Sequence, residues 1–186
     1  MMDSATIHDA DELLPLLLSA IGNIAHALSG TADDALTRDI LRSYVTGEHN
    51  RLSYRHIIVD RRDGAIVGML IAYPGDKADE LDAEIRERLL RERGAAAAAK
   101  VLTECKPGEY YLDSIAVDER FRGQGIAKAL IAEFEKRGRA EGFRRLSLIV
   151  EPYNDGAYAL YRKLGFVDEG LWSVSDGAYR RMIKKL

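Results

Sequence analysis

Apolar residues at Leu14, Leu17, Leu18, Ile21, Ile24, Ala25 and Leu28 fall on one face at helical spacing, and Ser29-Gly30 ends the run. The pattern predicts one amphipathic helix, preceded by a short strand around Ala5 to His8. A second helix carries Leu36, Ile40, Leu41 and Tyr44, with Thr31, Asp33 and Asp34 available to cap it and to face its positive end. The period then changes. Ile57, Ile58 and Val59 mark a strand from Tyr54 to Asp60, Asp63-Gly64 turns the chain, and Ala65 to Tyr73 reads as a second strand ending at Pro74-Gly75. Asp76 to Gly108 is rich in charge, with Leu81, Ile85 and Leu89 at helical spacing and an alanine run from Ala95 to Ala99. It predicts a largely helical insertion, either a solvated patch on the sheet edge or the wall of a pocket.

The second half alternates. Tyr110 to Val117 reads as a strand, and Gly125 to Ala140 as a helix with Ile126, Ala127, Leu130, Ile131 and Phe134 on one face. Arg145 to Val150 is another strand, Asp155 to Leu164 a short helix stopped by Gly165, and Phe166 to Val174 with Ala178 to Ile183 a closing hairpin about Asp176-Gly177. Hairpins followed by a β-α-β-α-β run predict an α/β (α+β) domain: a mixed, mostly antiparallel central sheet with helices on both faces.

Composition narrows the function classes. The 186 residues suit one domain, with 47% hydrophobic and 31% charged positions, enough to bury a core. Lys plus Arg is 27 against 30 Asp plus Glu, a formal charge of −3, too balanced for a protein that grips nucleic acid along its surface. Leu13 to Ala20 is broken by Pro15 and follows acidic residues, so it does not read as a signal peptide, and no apolar run is long enough to span a bilayer. The single cysteine, Cys105, excludes an internal disulfide and points to a reducing, cytoplasmic setting. His8, His26, His49 and His56 show no metal-ligand spacing, so no metal is expected.

The candidate chemistry begins at Arg120-Phe121-Arg122-Gly123-Gln124-Gly125-Ile126-Ala127, which joins a strand directly to an amphipathic helix. The first turn of a helix carries unpaired N–H groups and a positive dipole end, and glycines let an anion approach the backbone. A phosphate or pyrophosphate cradle is the expectation, with Arg120 and Arg122 as nearby donors or as plain solvated charges. Gly125 is followed by Ile126-Ala127-Lys128, without the Lys-Ser/Thr pair of a nucleotide P-loop. Lys128 also stands where a dinucleotide fingerprint needs its third glycine, and Glu151 is only a loose match for its acidic residue.

Arg120-x-x-Gly123-x-Gly125, after a strand ending Ile115-Ala116-Val117, resembles the acyl-CoA pyrophosphate loop of the GNAT superfamily of N-acetyltransferases. Asn154-Asp155-Gly156-Ala157-Tyr158-Ala159-Leu160-Tyr161 running to Gly165-Phe166 is similar to that superfamily's second signature. The likeness covers Tyr111 to Phe166, is looser over the Tyr54 to Tyr73 hairpin and the N-terminal helices, and does not reach the insertion. It implies one domain over residues 1–186, interrupted at about 76–108, whose fourth and fifth strands splay apart to admit the pantetheine arm. By position, Ile115, Ala116 and Val117 would meet that arm through main chain, as an added strand does. Arg122, Gly123, Gln124, Gly125, Ile126 and Ala127 would hold the pyrophosphate, and Asn154 would bind the arm while capping its helix. Tyr161 matches the general acid that protonates the departing thiolate, although a core tyrosine is the plain alternative.

The general base is not carried over, because Ile149 and Tyr111 occupy the positions where relatives place an acid. Strand alternation puts Glu109, Tyr111 and Asp113 on one face, so Asp113 or Glu109 is the tentative base, with a structural carboxylate or a water relay as the alternatives. A nucleophilic role for Cys105 is disfavoured. The implied activity is acetyl transfer from acetyl-CoA to a primary amine of a small molecule, peptide or protein, by direct attack in a ternary complex. The competing reading is a non-catalytic acyl-CoA-binding regulatory module. Neither nucleic acid nor membrane is an expected partner, and homodimerisation through the C-terminal strands or the insertion is left open.

Overall fold

The computed structural model describes residues 1–174 and 177–186. Seven strands form one sheet: β1 (Met2–Ser4), β2 (Ile57–Arg62), β3 (Ala65–Pro74), β4 (Tyr110–Val117), β5 (Arg145–Val150), β6 (Val167–Val174) and β7 (Gly177–Lys185). Their order is β1-β2-β3-β4-β5-β7-β6, with every neighbouring pair antiparallel except β4 and β5. The expected mixed, mostly antiparallel sheet is what forms.

Helices cover both faces. α1 (Ala10–Ile21), α2 (Ile24–Ser29), α3 (Asp34–Thr46), α4 (Ala78–Arg93) and the single turn α5 (Ala95–Ala98) accompany one face, where Leu17, Leu41, Ile57, Val59, Met69, Ile71 and Leu89 are sealed. α6 (Ile126–Ala140) and α7 (Asp155–Lys163) accompany the other, over Ile58, Leu70, Leu112, Leu148 and Met182. Because β2 and β3 are buried on both sides, they read as nearly continuous apolar runs rather than as alternating ones.

Three boundaries differ from the sequence expectation. The first strand lies at Met2–Ser4, and Ile7–Asp9 is a 3₁₀ turn instead, because the Asp9 carboxylate accepts from both the Thr6 amide (2.7 Å) and the Thr6 hydroxyl (2.9 Å). The expected first helix is two helices. Gly22 takes φ +50° and its amide bonds back to Leu18, so the chain breaks there and resumes at Ile24 with much the same face inward. Tyr54–His56 is likewise a 3₁₀ turn, capped by the Ser53 hydroxyl, so β2 starts only at Ile57. The expected closing turn falls partly on Asp176, outside the described residues, while Val174 and Gly177 pair on either side of it.

The insertion is helical as expected over α4, then irregular from Lys100 to Glu109. This return segment is pinned where it meets the end of β3. The Gly75 amide donates to the Glu109 carbonyl at 2.7 Å, and a Cβ on Gly75 would sit 2.2 Å from the Lys106 carbonyl oxygen. Only glycine fits this crossing. Gly75→Ala should therefore force the segment outward and cost about 1–3 kcal/mol of unfolding free energy, the usual penalty for overpacking. Urea titration of the variant checks it.

Candidate active site

The site starts from a defect in strand pairing. β4 pairs with β5 only from Tyr110 to Leu112, opposite Leu146 to Leu148, while β5 continues along β7 through Val150. The two central strands part at Asp113. On its other side β4 has a bulge there, since Leu112 faces Ala72 and Ser114 faces Ile71, leaving Asp113 unmatched. A bulge adds local bend and twist, and this one comes where pairing with β5 ends. It also shifts the alternation: Leu112 and Ile115, three residues apart, pack on the α6 side. The Asp118 amide donates to the Val67 carbonyl at 2.9 Å, so the main chain of Ala116 and Ser114 faces β3 by alternation. Ile115 and Val117 therefore turn their main-chain groups toward the gap.

A cavity of about 600 Å³ fills the gap. Its lining includes Asp113 to Val117, Arg122, Gly123, Gly125, Ile126, Ala127, Asn154 and Tyr161, thirteen or so ångströms of strand edge with a loop at one end and a carboxylate at the other, at roughly 3.3 Å per residue. Ile21 and Ile24, on either side of the α1–α2 break, close part of the opposite wall. Gln124 does not line the cavity; its side chain accepts from Arg62 at 2.8 Å. Arg120 is taken by Asp118 (2.6 Å), and Arg122 reaches the Val117 carbonyl at 3.4 Å.

Gly123 and Gly125 hold φ of +76° and +78°, a conformation that side chains resist. A Cβ on either would project into open space, so the loop is a cradle with room beside its backbone. The first helical bond of α6 runs from the Ala129 amide to the Gly125 carbonyl at 3.0 Å. The amides of the preceding turn are thus without intrahelical partners beside the cavity, at the positive end of a fifteen-residue helix.

Tyr161 is positioned by the end of its own helix. Gly165 takes φ +89°, its amide returns to the Arg162 carbonyl, and the Phe166 amide returns to the Tyr161 carbonyl at 3.0 Å. This is a Schellman ending, and the Phe166 ring packs edge-on against Tyr161 at 5.8 Å. The Tyr161 phenol lines the cavity and makes no hydrogen bond among the described residues; burial, then the nearby Glu151 charge, raises its pKa above the usual value, so it stays protonated. At the start of α7, Asn154 caps through its side-chain oxygen, which accepts from the Ala157 amide at 3.1 Å.

The two tentative bases separate. Glu109 is sealed away from the cavity, in a hydrogen-bonded pair with Arg181. Burial opposes its ionisation, but the hydrogen bonds from Arg181 and the Lys106 amide outweigh it and hold the carboxyl below its usual pKa. The expected shared face holds, since Tyr110 and Leu112 pack on the α6 side and Tyr111 and Asp113 on the other, but the Arg181 pair keeps Glu109 out of the cavity wall. Asp113 does line the cavity, with Oδ1 accepting from the Ser114 hydroxyl (2.8 Å) and Oδ2 from the Tyr73 hydroxyl (2.7 Å).

Several lining residues carried no sequence signal. Arg51 sits in the polar loop before β2 and is only 5% exposed, its guanidinium 3.6 to 3.8 Å from Asp82, Glu104 and Asp113. Glu104 arrives from the irregular end of the insertion, and Tyr179 from β7. Neither Arg51 nor Glu104 belongs to a periodic run or a motif, so only the folded arrangement reveals them. Cys105 next door is buried, and desolvation followed by the surrounding carboxylates pushes its thiol up to about 12, which removes it as a nucleophile at neutral pH. Among the described residues, no cluster of three or more His, Cys, Asp or Glu side chains is arranged to hold a metal ion, and no helix is long and apolar enough to cross a membrane.

The acetyltransferase (GNAT) family model matches residues 27–166. A crystal structure of an acetyltransferase superposes with a TM-score of 0.80 at 30% identity, covering 100% of this chain and 98% of that one. An N-acetyltransferase from Staphylococcus aureus Mu50 gives a TM-score of 0.81 at 21% identity, covering 98% and 99%, a likeness of fold. The uncharacterized N-acetyltransferase YdgE of Bacillus subtilis (strain 168) is 36% identical over 58 residues, so that the match spans 31% of this chain and 37% of that relative's length.

Arg51 is the cation that permits three carboxylates to be buried together. Arg51→Met should cost about 3–5 kcal/mol at pH 7, the scale for stripping one partner from a buried ion pair. Burial raises the pKa of Asp82 and Glu104 despite Arg51, and without it they rise further. A raised folded-state pKa means that the folded form gains protons first, so stability falls as pH rises through that value. The deficit of the variant should shrink from pH 7 to pH 5, as read by denaturant unfolding at each pH.

Proposed function

The chain belongs to the GNAT acetyltransferase family, and on that premise we propose that it transfers an acetyl group from acetyl-CoA to a primary amine of a small molecule, peptide or protein. The observation that carries the reading is the open edge of β4. It leaves main-chain groups of Ile115 and Val117 facing a cavity that ends at a glycine cradle. Unpaired strand edges are templates for a further extended chain, and a pantetheine arm carries amides that match one. Arg122, Gly123, Gly125, Ile126 and Ala127 hold the pyrophosphate through main chain, the spare volume over both glycines being where it sits, while Gln124 between them is turned to Arg62. Ala116 shapes the strand between its neighbours, and Asn154 binds the arm beside α7.

Acetyl-CoA supplies an activated acyl carbon. Main-chain N–H groups of the parted strand polarise its carbonyl, which costs no reorganisation because the strand is fixed on its β3 side. Tyr161 gives its proton to the departing sulfur. A buried phenol that stays protonated is a suitable acid here, since a free thiol has a pKa of about 8.5. Asp113 and Glu104 form the anionic end at which the amine is received. Reaction proceeds by direct attack, with no covalent enzyme intermediate and no metal, in the reducing cytoplasm that a lone buried thiol suits.

Calorimetric titration with acetyl-CoA, ATP and NAD tests the cofactor. Acetyl-CoA alone should bind, and Gly123→Val or Gly125→Val should weaken it at least 10-fold. Binding of ATP or NAD in preference would overturn the reading. Tyr161→Phe separates an enzyme from a non-catalytic CoA-binding module: kcat should fall about 10²-fold or more, the usual contribution of a positioned acid, with acetyl-CoA affinity unchanged. Thiol release from CoA measures it.

A further inference from the structure

The anionic end of the cavity is assembled from three parts of the chain that the shared strands do not supply: Arg51 from the loop before β2, Asp82 from α4 and Glu104 from the return segment of the insertion. Around one guanidinium stand three carboxylates, with Asp113 the third. The cluster does not close its own hydrogen bonds. Arg51 Nε and Nη1 are sealed from solvent without a hydrogen-bond partner, and so is Asp82 Oδ1. Charge is compensated at 3.6 to 3.8 Å, just beyond bonding range, while Arg51 itself forms part of the cavity wall. Buried polar groups without partners are rare and call for an explanation, and a charged cluster held behind the wall of a functional cavity supplies one.

The three carboxylates are not equivalent. Asp113 has both oxygens occupied, by Ser114 and Tyr73, and is fixed in place. Asp82 does not line the cavity. Glu104 does, and it is held by one oxygen only: the Tyr111 hydroxyl donates to Oε2 at 2.8 Å, whereas Oε1 accepts no hydrogen bond among the described residues and stands 3.8 Å from Arg51 Nη1. A carboxylate fixed by one oxygen and open at the other has the form of a proton acceptor.

We infer that Glu104 is the catalytic residue that receives the acceptor, pairing with a primary alkylammonium and taking its proton, and that the surplus of carboxylates around it turns away amines bearing a carboxylate beside the nitrogen. The inference rests on the acetyl-transfer reading above. An alkylamine with a pKa near 10.4 arrives as R–NH₃⁺ and cannot attack until one proton leaves. That proton passes to Glu104, giving the neutral amine and a carboxylic acid. The nitrogen then bonds to the acyl carbon as the C–S bond breaks, sulfur takes the Tyr161 proton, and the second proton lost by nitrogen restores the phenol. Glu104 finally releases its proton to solvent, so the balance is one amide, one free thiol and one proton.

The local charges suit this role. Burial raises the Glu104 carboxyl above its usual pKa, Arg51 draws it back, and Asp113 raises it again; the Tyr111 hydrogen bond lowers it and Asp82 raises it. From the sheet, Tyr73 and Tyr179 also face it, both phenols held protonated by burial. Its neighbour Cys105 is protonated as well. The ionisable groups packed nearest Glu104, apart from these phenols and the thiol, are thus Arg51, Asp82 and Asp113.

The test compares wild type, Glu104→Gln, Glu104→Asp and Glu151→Gln, the last altering the carboxylate on the cavity wall that stands outside the Arg51 cluster. Each is titrated with acetyl-CoA and then assayed by thiol release against 1-aminobutane, 1,4-diaminobutane and lysine across pH 5 to 9. Wild type should acetylate both alkylamines and favour them at least 10-fold over the α-amine of lysine, the acetylated nitrogen of the lysine product being identified by fragmentation mass spectrometry. Glu104→Gln should keep its melting temperature and acetyl-CoA affinity within 2-fold and lose at least 10²-fold in kcat, together with the acid limb of the kcat profile, which Glu104→Asp partly restores. A Glu104→Gln enzyme within 3-fold of wild type and with the same profile overturns the inference, as does loss of that limb in Glu151→Gln instead. Normal acetyl-CoA binding with no turnover of either alkylamine overturns it while leaving the cofactor reading intact. Failure of wild type to bind acetyl-CoA removes both.

Discussion

Ile115 and Val117 can present main-chain donors and acceptors to a cavity only because β4 stops pairing with β5 at Leu112 and bends at Asp113. An unpaired buried peptide group costs about 1–3 kcal/mol, so a sheet does not open at its centre without compensation. Here the compensation is local. The bulged residue is itself a carboxylate held by Tyr73 and Ser114, with Arg51 facing it, while the freed edge lines a cavity instead of being sealed in the core. The parting of the strands places the glycine cradle at one end, Tyr161 along one side and the Arg51 cluster at the other end. Restoring ladder pairing past Leu112 would remove all three from a common space.

The second constraint is electrostatic. One guanidinium among three carboxylates in a nearly dry setting leaves surplus negative charge, which a protein interior ordinarily relieves by shifting pKa values. The shifts run in that direction at Asp82 and Glu104, whose carboxyls burial raises, and at Arg51, whose cation the three acids hold firmly despite its desolvation. At Glu109, by contrast, the Arg181 pair lowers the pKa and binds the carboxylate into the sheet next to β7. Two glutamates five residues apart thus serve opposite ends: Glu109 is buried and spent on structure, and Glu104 is kept partly open at the cavity.

What was legible in the sequence follows from how local each determinant is. β4 and β5 have the bounds their apolar alternation predicts, and α6, α7 and the Gly165 ending follow from caps and periodicity within a few residues. The cradle is equally local, since two glycines between a strand and a helix constrain their own backbone. The misreadings also have local causes. Gly22 adopts a positive φ within an otherwise continuous apolar face, and Asp9 folds Thr6 into a turn where side-chain alternation reads as strand. Period-2 counting puts Glu109 and Asp113 on one face, but it cannot show that Arg181, 72 positions on, draws Glu109 into a buried pair, and the bulge at Asp113 leaves no trace in composition. Arg51 and Glu104 lie in polar, aperiodic stretches that look solvated until the chain folds them inward.

This difference in locality divides the site by function. The cradle, the open strand edge, Asn154 and Tyr161 lie within residues 113–161, one continuous stretch of the chain. The anionic end draws instead on the loop at Arg51, on α4 and on the end of the insertion, joined by ion pairs across distances of 31 to 62 positions in sequence. A cradle built from a compact local motif keeps its shape whatever the remote segments do. An acceptor particular to one protein can be set by remote segments that vary without disturbing that cradle, and the Gly75 crossing shows how such a segment is tied back to the fold: one glycine lets the insertion leave β3 and return beside it, delivering Glu104 to a cavity whose other walls were already fixed.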